Sequence, residues 1–314
     1  MAEREPDSFD AAGIGVAVRD LTVLLDTFPS PDSKTQAREF AETGGGPVPT
    51  ALATLTRLGR RTAFIGVVGD DEAGRFILED LHREGVDTSA CVVRAGHRSP
   101  TSVILVERDG RRTVCEWGQA DLPFTREDLD RAAPILDRCR FLLVDARLPG
   151  IQIEAARRAR KAGARIVLDC GHPRPGVTDL LRECDVTFLS HSFPRAVHGE
   201  GFAPEDCLHE LSLLLPAQGL RIAGLTLGAD GCIVAAEGST PVRIPGVKVA
   251  CVDTTGAGDV FHGAIVHALL RGMDHVDAAR FANAAAALKC RGLTGRAPLP
   301  PEDEIDRVAR TGAA

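Results

Sequence analysis

Short apolar runs alternate with helical patterns along most of the chain. Ile14-Gly-Val-Ala-Val18 and Thr62-Ala-Phe-Ile-Gly-Val-Val68 read as buried strands. Phe141-Leu-Leu-Val-Asp145, Arg165-Ile-Val-Leu-Asp169, Val186-Thr-Phe-Leu189 and Ile222-Ala-Gly-Leu-Thr-Leu227 continue the series. Between them lie amphipathic stretches, Thr50 to Leu58, Ala73 to Glu84, Ile151 to Ala162 and Pro204 to Leu215, each patterned for one buried helix face. Strand, helix, strand in repetition predicts an α/β fold with a mainly parallel sheet covered on both faces.

Two stretches break that rhythm. Leu21 to Phe28 and Lys34 to Ala41 mix polarity around Pro29-Ser-Pro-Asp32. Thr101-Ser-Val-Ile-Leu-Val-Glu107 and Arg112-Thr-Val-Cys-Glu-Trp117 read as a hairpin, with Asp109-Gly110 at the turn. Short antiparallel strands outside a parallel sheet predict a small accessory sheet or lid, roughly within residues 20–42 and 98–120. The last third is helix-rich, Asp259 to Arg271 and Val276 to Cys290. No repeat, low-complexity tract or linker interrupts the pattern, so one domain over residues 1–314 is expected.

Composition narrows the class. A net charge of −7 over 314 residues, with a pI near 5.7, argues against a nucleic-acid or anionic-membrane partner. No apolar run approaches the roughly 18 residues of a membrane span, and Met1 to Asp10 is polar, so no membrane partner and a cytoplasmic location are expected. The nine cysteines form no Cys-x-x-Cys pair and read as reduced thiols.

The strongest chemical signal is Val252-Asp-Thr-Thr-Gly-Ala-Gly-Asp-Val-Phe-His-Gly263. A strand ending at Val252 is expected to enter a glycine turn and then an apolar helix. The small side chains of Gly256, Ala257 and Gly258 let backbone N–H groups at the helix start approach an anion, where the helix dipole favours negative charge. Asp259 stands where a carboxylate can take a proton from an attacking hydroxyl. A loop with Asp259 as a plain N-cap is the bland alternative. His262 reads as a packing residue of the following helix.

This segment resembles the signature of the ribokinase-like sugar kinases, the PfkB family, and the likeness runs along nearly the whole chain. Gly45-Gly-Pro-Val-Pro-Thr-Ala-Leu-Ala-Thr-Leu-Thr-Arg-Leu-Gly59 is similar to the family's other signature, with Thr50 where an Asn is usual. Phe64-Ile-Gly-Val-Val-Gly-Asp-Asp-Glu-Ala-Gly74 also matches in spacing, and Thr226-Leu-Gly-Ala-Asp-Gly231 resembles the turn beside the nucleotide phosphates. The resemblance implies a ribokinase-like three-layer sandwich with a β-sheet lid, often a homodimer interface. It implies ATP and Mg²⁺, a small sugar as substrate, Asp259 as base and the Gly256–Gly258 amides as anion hole. Asp20, Gly45, Gly46 and Thr50 fall at sugar-binding positions, and Thr226, Gly228, Gly231 and Asn283 at nucleotide positions. Several members hold K⁺ on backbone carbonyls beside the anion hole; the matching residues are Asp253 and Thr255. The family's Asn-x-x-Glu, which organises Mg²⁺, is replaced by Phe188-Leu-Ser-His-Ser-Phe193.

Among the branches, Gly44-Gly-Gly-Pro47, Asp259-Val-Phe-His-Gly263, Val144-Asp-Ala-Arg147 and Ala287-Leu-Lys-Cys290 are most similar to the 6-deoxy-6-sulfofructose kinases. Lys34 and Arg147 fall where that branch places cations for the sugar's anionic end. Glu116 stands where the branch has a neutral Asn, which suits the hydroxyls of a neutral ketose equally well. A fructokinase, a 2-keto-sugar-acid kinase and a catalytically silent sugar-binding protein are the alternatives.

Overall fold

The computed structural model describes residues 8–118, 122–199, 203–204, 208–209 and 221–314. The strands in chain order are β1 (Phe9–Ile14), β2 (Val18–Leu25), β3 (Glu39–Gly45), β4 (Thr62–Ile65), β5 (Val67–Gly69), β6 (Val92–Arg94), β7 (Thr101–Glu107) and β8 (Arg112–Trp117). They continue with β9 (Cys139–Val144), β10 (Arg165–Cys170), β11 (Val186–Ser190), β12 (Ile222–Thr226), β13 (Cys232–Ala236) and β14 (Val242–Ile244). Eight of these form one sheet in the order β14-β13-β12-β11-β10-β9-β1-β4. From β4 to β12 all neighbours are parallel, and β13 and β14 close the far edge antiparallel.

The parallel strands are apolar without alternation because both faces are covered. On one face, Ala11, Phe141, Val167 and Phe188 pack with helices Pro47–Arg57, Ala257–Leu270 and His275–Lys289. On the other, Ala12, Leu142, Ile166 and Leu168 pack with helices Arg126–Arg131, Ala133–Leu136 and Pro149–Lys161. Helix Ala257–Leu270 is apolar around most of its circumference, as a helix wedged between layers must be. Its Gly263 meets helix Pro47–Arg57 so closely that a Cβ would lie 2.5 Å from the Ala51 carbonyl oxygen. These layers realise the predicted three-layer α/β architecture. Among the described residues no helix is long and apolar enough to cross a membrane.

The second sheet, β3-β2-β7-β8, is the predicted lid, antiparallel except for the parallel β2–β7 pair. Its register aligns Thr43, Asp20, Ser102 and Glu116 in one row across all four strands. The opposite face carries Leu21, Val23, Phe40, Val103, Leu105 and Trp117, with Phe40, Val103 and Trp117 exposed.

Several boundaries differ from those read in the sequence. Residues 14–18 are not a strand: β1 ends at Ile14 and β2 begins at Val18. The link turns because the Val16 amide donates to Asp145 Oδ2 at 3.1 Å, and Gly15 leaves no room between chain and carboxylate. Asp20 therefore sits inside β2. The run Thr62 to Val68 breaks at Gly66 into β4 and β5, and Lys34 to Arg38 stay outside β3. Val252 lies in no strand; its amide donates to the Cys290 carbonyl at 2.8 Å. Most of the helix expected over Pro204 to Leu215 lies outside the described residues.

A buried ion pair between Arg296 and Asp80 ties the segment after helix His275–Lys289 to helix Glu72–Arg83, and Asp80 also accepts from the Gly44 amide of β3 at 3.1 Å. Removing one member of a buried pair strands the other charge, whereas the exposed Arg83 that shares Asp80 is solvated without it. Urea unfolding should therefore show Arg296→Met destabilised by roughly 3–5 kcal/mol and Arg83→Met by less than about 1 kcal/mol. Equal losses would refute this assignment.

Candidate active site

The site assembles at the carboxyl ends of the parallel strands, where the start of helix Ala257–Leu270 faces the lid sheet. Gly256, its N-cap, takes φ +73°, and a Cβ there would lie 2.5 Å from the Gly295 carbonyl oxygen. Glycine is required on both counts. As in any helix, the first amides have no intrahelical acceptor; that of Ala257 makes only a long bond to Thr254, 3.3 Å. Asp259 occupies the first turn, and its side chain is half-buried.

The loop feeding this helix is held from behind. Asp253 is fully buried, and its carboxylate accepts from the amides of Thr255 at 2.7 Å and Thr294 at 2.8 Å. The carbonyls of Asp253 and Thr255 both accept from Lys289 Nζ, whose side chain is fully buried. One turn into the helix, His262 Nδ1 faces the Gly258 carbonyl at 2.8 Å and Asp169 Oδ2 at 3.1 Å, and Nε2 faces the Phe188 carbonyl at 2.9 Å. Both ring nitrogens meet only acceptors, so the ring carries both protons. Burial opposes that charge, yet the Asp169 carboxylate and the two carbonyls push the His262 pKa up to about 9. Burial and then Asp169 push Asp259 up to about 7, while His262, Arg112 and Arg147 pull it back.

Across the cleft, burial pushes Asp20 up to about 7 against the pull of Arg296 and Ser102, with Glu116 and Arg147 also close enough to act on it. Gly45 is the residue that admits this carboxylate: a Cβ there would lie 1.9 Å from Asp20 Oδ2. Gly46, at φ +96°, caps helix Pro47–Arg57, and the buried Thr50 sits in its first turn. Arg147 follows β9 through Asp145 and Ala146, whose φ of +56° aims the chain back across the strand ends. Its guanidinium forks onto the Glu116 carboxylate at 3.1 and 3.3 Å. From the lid turn, Arg112 donates to Thr254 Oγ1 at 2.8 Å, and Thr254 Oγ1 in turn donates to the Gly110 carbonyl at 3.0 Å. The structure thus brings Asp20, Glu116, Arg147 and Asp259 together. Lys34 stays in the exposed loop between β2 and β3, with no ion pair among the described residues.

At the other end, Thr226 closes β12 and leads into the turn Gly228–Asp230. Gly231, at φ +92°, packs on the Ile244 carbonyl, where a Cβ would lie 2.1 Å away. Asn283 Nδ2 donates to the neighbouring Pro245 carbonyl at 3.0 Å, so Thr226, Gly228, Gly231 and Asn283 share one corner. In the stretch that replaces Asn-x-x-Glu, the hydroxyls of Ser190 and Ser192 both donate to the Gly171 carbonyl, at 3.0 and 2.9 Å. They brace the turn after Asp169. Arg112, Asp169, Lys289 and Arg296 went unassigned in the sequence, because each meets its partner only through tertiary folding.

Comparison with known proteins is consistent with this geometry. The model of the pfkB family carbohydrate kinases matches residues 10–301. A ribokinase of Arabidopsis thaliana is 28% identical over 300 residues, covering 92% of this chain and 78% of that protein. Among solved structures, a putative ribokinase from Agrobacterium tumefaciens aligns with a TM-score of 0.81 at 27% identity, covering 96% of this chain and 98% of that one. Arabidopsis thaliana ribokinase complexed with ribose and ATP aligns at 0.77 and 22% identity, over 96% of this chain and 99% of that one, a likeness of fold.

The charge on His262 has a measurable signature. A histidine whose pKa rises from 6.5 to about 9 on folding stabilises the fold fully below pH 6.5, and that contribution is lost as pH rises through 9. The stability gap between the wild type and His262→Asn should therefore be widest below pH 6.5 and shrink towards pH 9, read from urea midpoints. A gap that is flat with pH would contradict a buried imidazolium.

Proposed function

Because this chain belongs to the pfkB family of carbohydrate kinases and is an ATP-dependent sugar kinase, we propose that it phosphorylates a primary hydroxyl of a small ketose, with Asp259 as the base. The observation that carries this reading is the half-buried Asp259 in the first turn of helix Ala257–Leu270, with Arg147 acting on both it and Asp20 of the lid sheet. The acceptor hydroxyl gives its proton to Asp259, and its oxygen attacks the γ-phosphorus of ATP as the bond from that phosphorus to the β-phosphate oxygen breaks and ADP leaves. The amides of Gly256 to Gly258 and the helix dipole take up charge on the transferring group. Thr226, Gly228, Gly231 and Asn283 form the nucleotide end, and Asp20 and Thr50, with Gly45 and Gly46 giving room, hold the sugar.

Mg²⁺ would come to this site on the nucleotide, and no cluster of three metal-binding side chains exists among the described residues. Asp169, which acts electrostatically on Asp259, is the carboxylate nearest to that role, and the ion supplies charge neutralisation between phosphates. The apolar outer face of the lid, with Phe40 61% and Trp117 51% exposed, supports a homodimer through the lid of a single cytoplasmic kinase domain.

The Arg147–Glu116 fork favours a neutral ketose: the guanidinium is already compensated, and Glu116 adds a hydroxyl acceptor in the row with Asp20. A ketose with an anionic end such as 6-deoxy-6-sulfofructose is the second reading, supported by Arg147, which acts on both Asp20 and Asp259, but not by the exposed Lys34. A substrate screen with ATP separates them. Turnover of fructose well above sulfofructose supports the neutral reading, and the reverse order overturns it. Glu116→Gln should then weaken the neutral sugar and improve the anionic one.

Asp259→Asn should lower kcat by about 10³-fold or more with ATP affinity retained; full turnover would remove the base assignment. In the wild type, kcat/KM should rise with pH through about 7, where Asp259 ionises. Asp169→Asn, which removes the charge that raises Asp259, should move that limb to lower pH.

A further inference from the structure

The two carbonyls that sequence resemblance marks for a monovalent cation, those of Asp253 and Thr255, already share a partner. Lys289 Nζ donates to Asp253 O at 3.0 Å and to Thr255 O at closer range. Lys289 ends helix His275–Lys289, and its side chain has 0% exposure. The counter-charge is the Asp253 carboxylate, likewise 0% exposed, whose oxygens are held by two backbone amides. Burial pulls the Lys289 pKa down, and Asp253 opposes that pull.

An alkali cation held by both carbonyls would have to lie where the ammonium lies. Two positive charges a few Å apart in a buried site repel strongly. The residues present therefore do not fit an added K⁺. A tethered ammonium, by contrast, meets both carbonyls without the entropy cost of capturing an ion from solution.

We propose that Lys289 is a built-in substitute for the monovalent cation, fixing the Asp253–Thr255 carbonyls and placing a positive charge beneath the anion hole, so that phosphoryl transfer needs no K⁺. The inference rests on the kinase reading for its functional part and on the Lys289 contacts for its structural part, and the two are tested separately.

Wild-type turnover in a buffer with tetramethylammonium as the only added cation besides Mg²⁺ should change less than twofold when 100 mM KCl is added. Lys289→Met should lose tenfold or more of kcat without K⁺ and regain a large share of it with K⁺, but not with added tetramethylammonium. Independently of turnover, K⁺ should raise the Tm of Lys289→Met and leave that of the wild type unchanged. The Tm pattern alone would support the cation site even if no sugar were phosphorylated. Fivefold or greater K⁺ activation of the wild type would overturn the proposal, as would a folded Lys289→Met that ignores K⁺ in both measurements. If Lys289→Met fails to fold, the wild-type titration alone decides.

Discussion

In the proposed reaction the opening amides of helix Ala257–Leu270 bind an anion, so the loop before them has to be held in place by other groups. It is held by charged side chains from the loop itself, from the helix it feeds and from helix His275–Lys289. Lys289 takes two of its carbonyls, Asp253 takes the amides of Thr255 and Thr294, and His262 takes the carbonyl of Gly258. Each is a charged group bonded to backbone, the class of hydrogen bond that is both short and strong. These contacts fix the backbone on one side of the helix start and leave its first amides without a strong acceptor.

The same arrangement sets the electrostatics. Three carboxylates, Asp20, Asp169 and Asp259, converge where the lid meets the strand ends, and each has a cation placed to one side of it. Arg296 stands behind Asp20, His262 beside Asp169, and Arg112 and Arg147 act on Asp259. Burial outweighs those cations at Asp20 and Asp259, leaving both near 7, where a carboxylate can gain or lose a proton at working pH. The lid is part of this balance, because Arg112 and the Gly110 carbonyl bind Thr254 of the loop directly. The lid sheet and the loop before helix Ala257–Leu270 are thus one hydrogen-bonded unit.

The layered fold was legible in the sequence because parallel strands covered on both faces leave continuous apolar runs, and β9 to β12 were read within a residue or two. The glycine segment was legible because Gly256 and Gly258 precede a carboxylate at fixed spacing. The Ile14 to Val18 run misled because its apolarity serves a buried turn: the Val16 amide is held by Asp145, 129 residues away, and Gly15 packs against the same carboxylate. The same long range hid Arg296, 216 residues from Asp80, and gave the helix-terminal Lys289 no local mark of its destination. His262 read as packing; what makes it charged are the Phe188 carbonyl and Asp169, which no local pattern connects to it.

The central claim is that buried cations hold the start of helix Ala257–Leu270 from behind, and the direct observable is the charge of His262. Nitrogen-15 NMR of histidine-labelled protein, with His262→Asn to assign the signal, reports the protonation of both ring nitrogens. The account predicts that His262 keeps both protons from pH 6 to about 8.5 and loses one only near 9. A ring that becomes neutral near the ordinary 6.5, or has one bare nitrogen throughout, would contradict it.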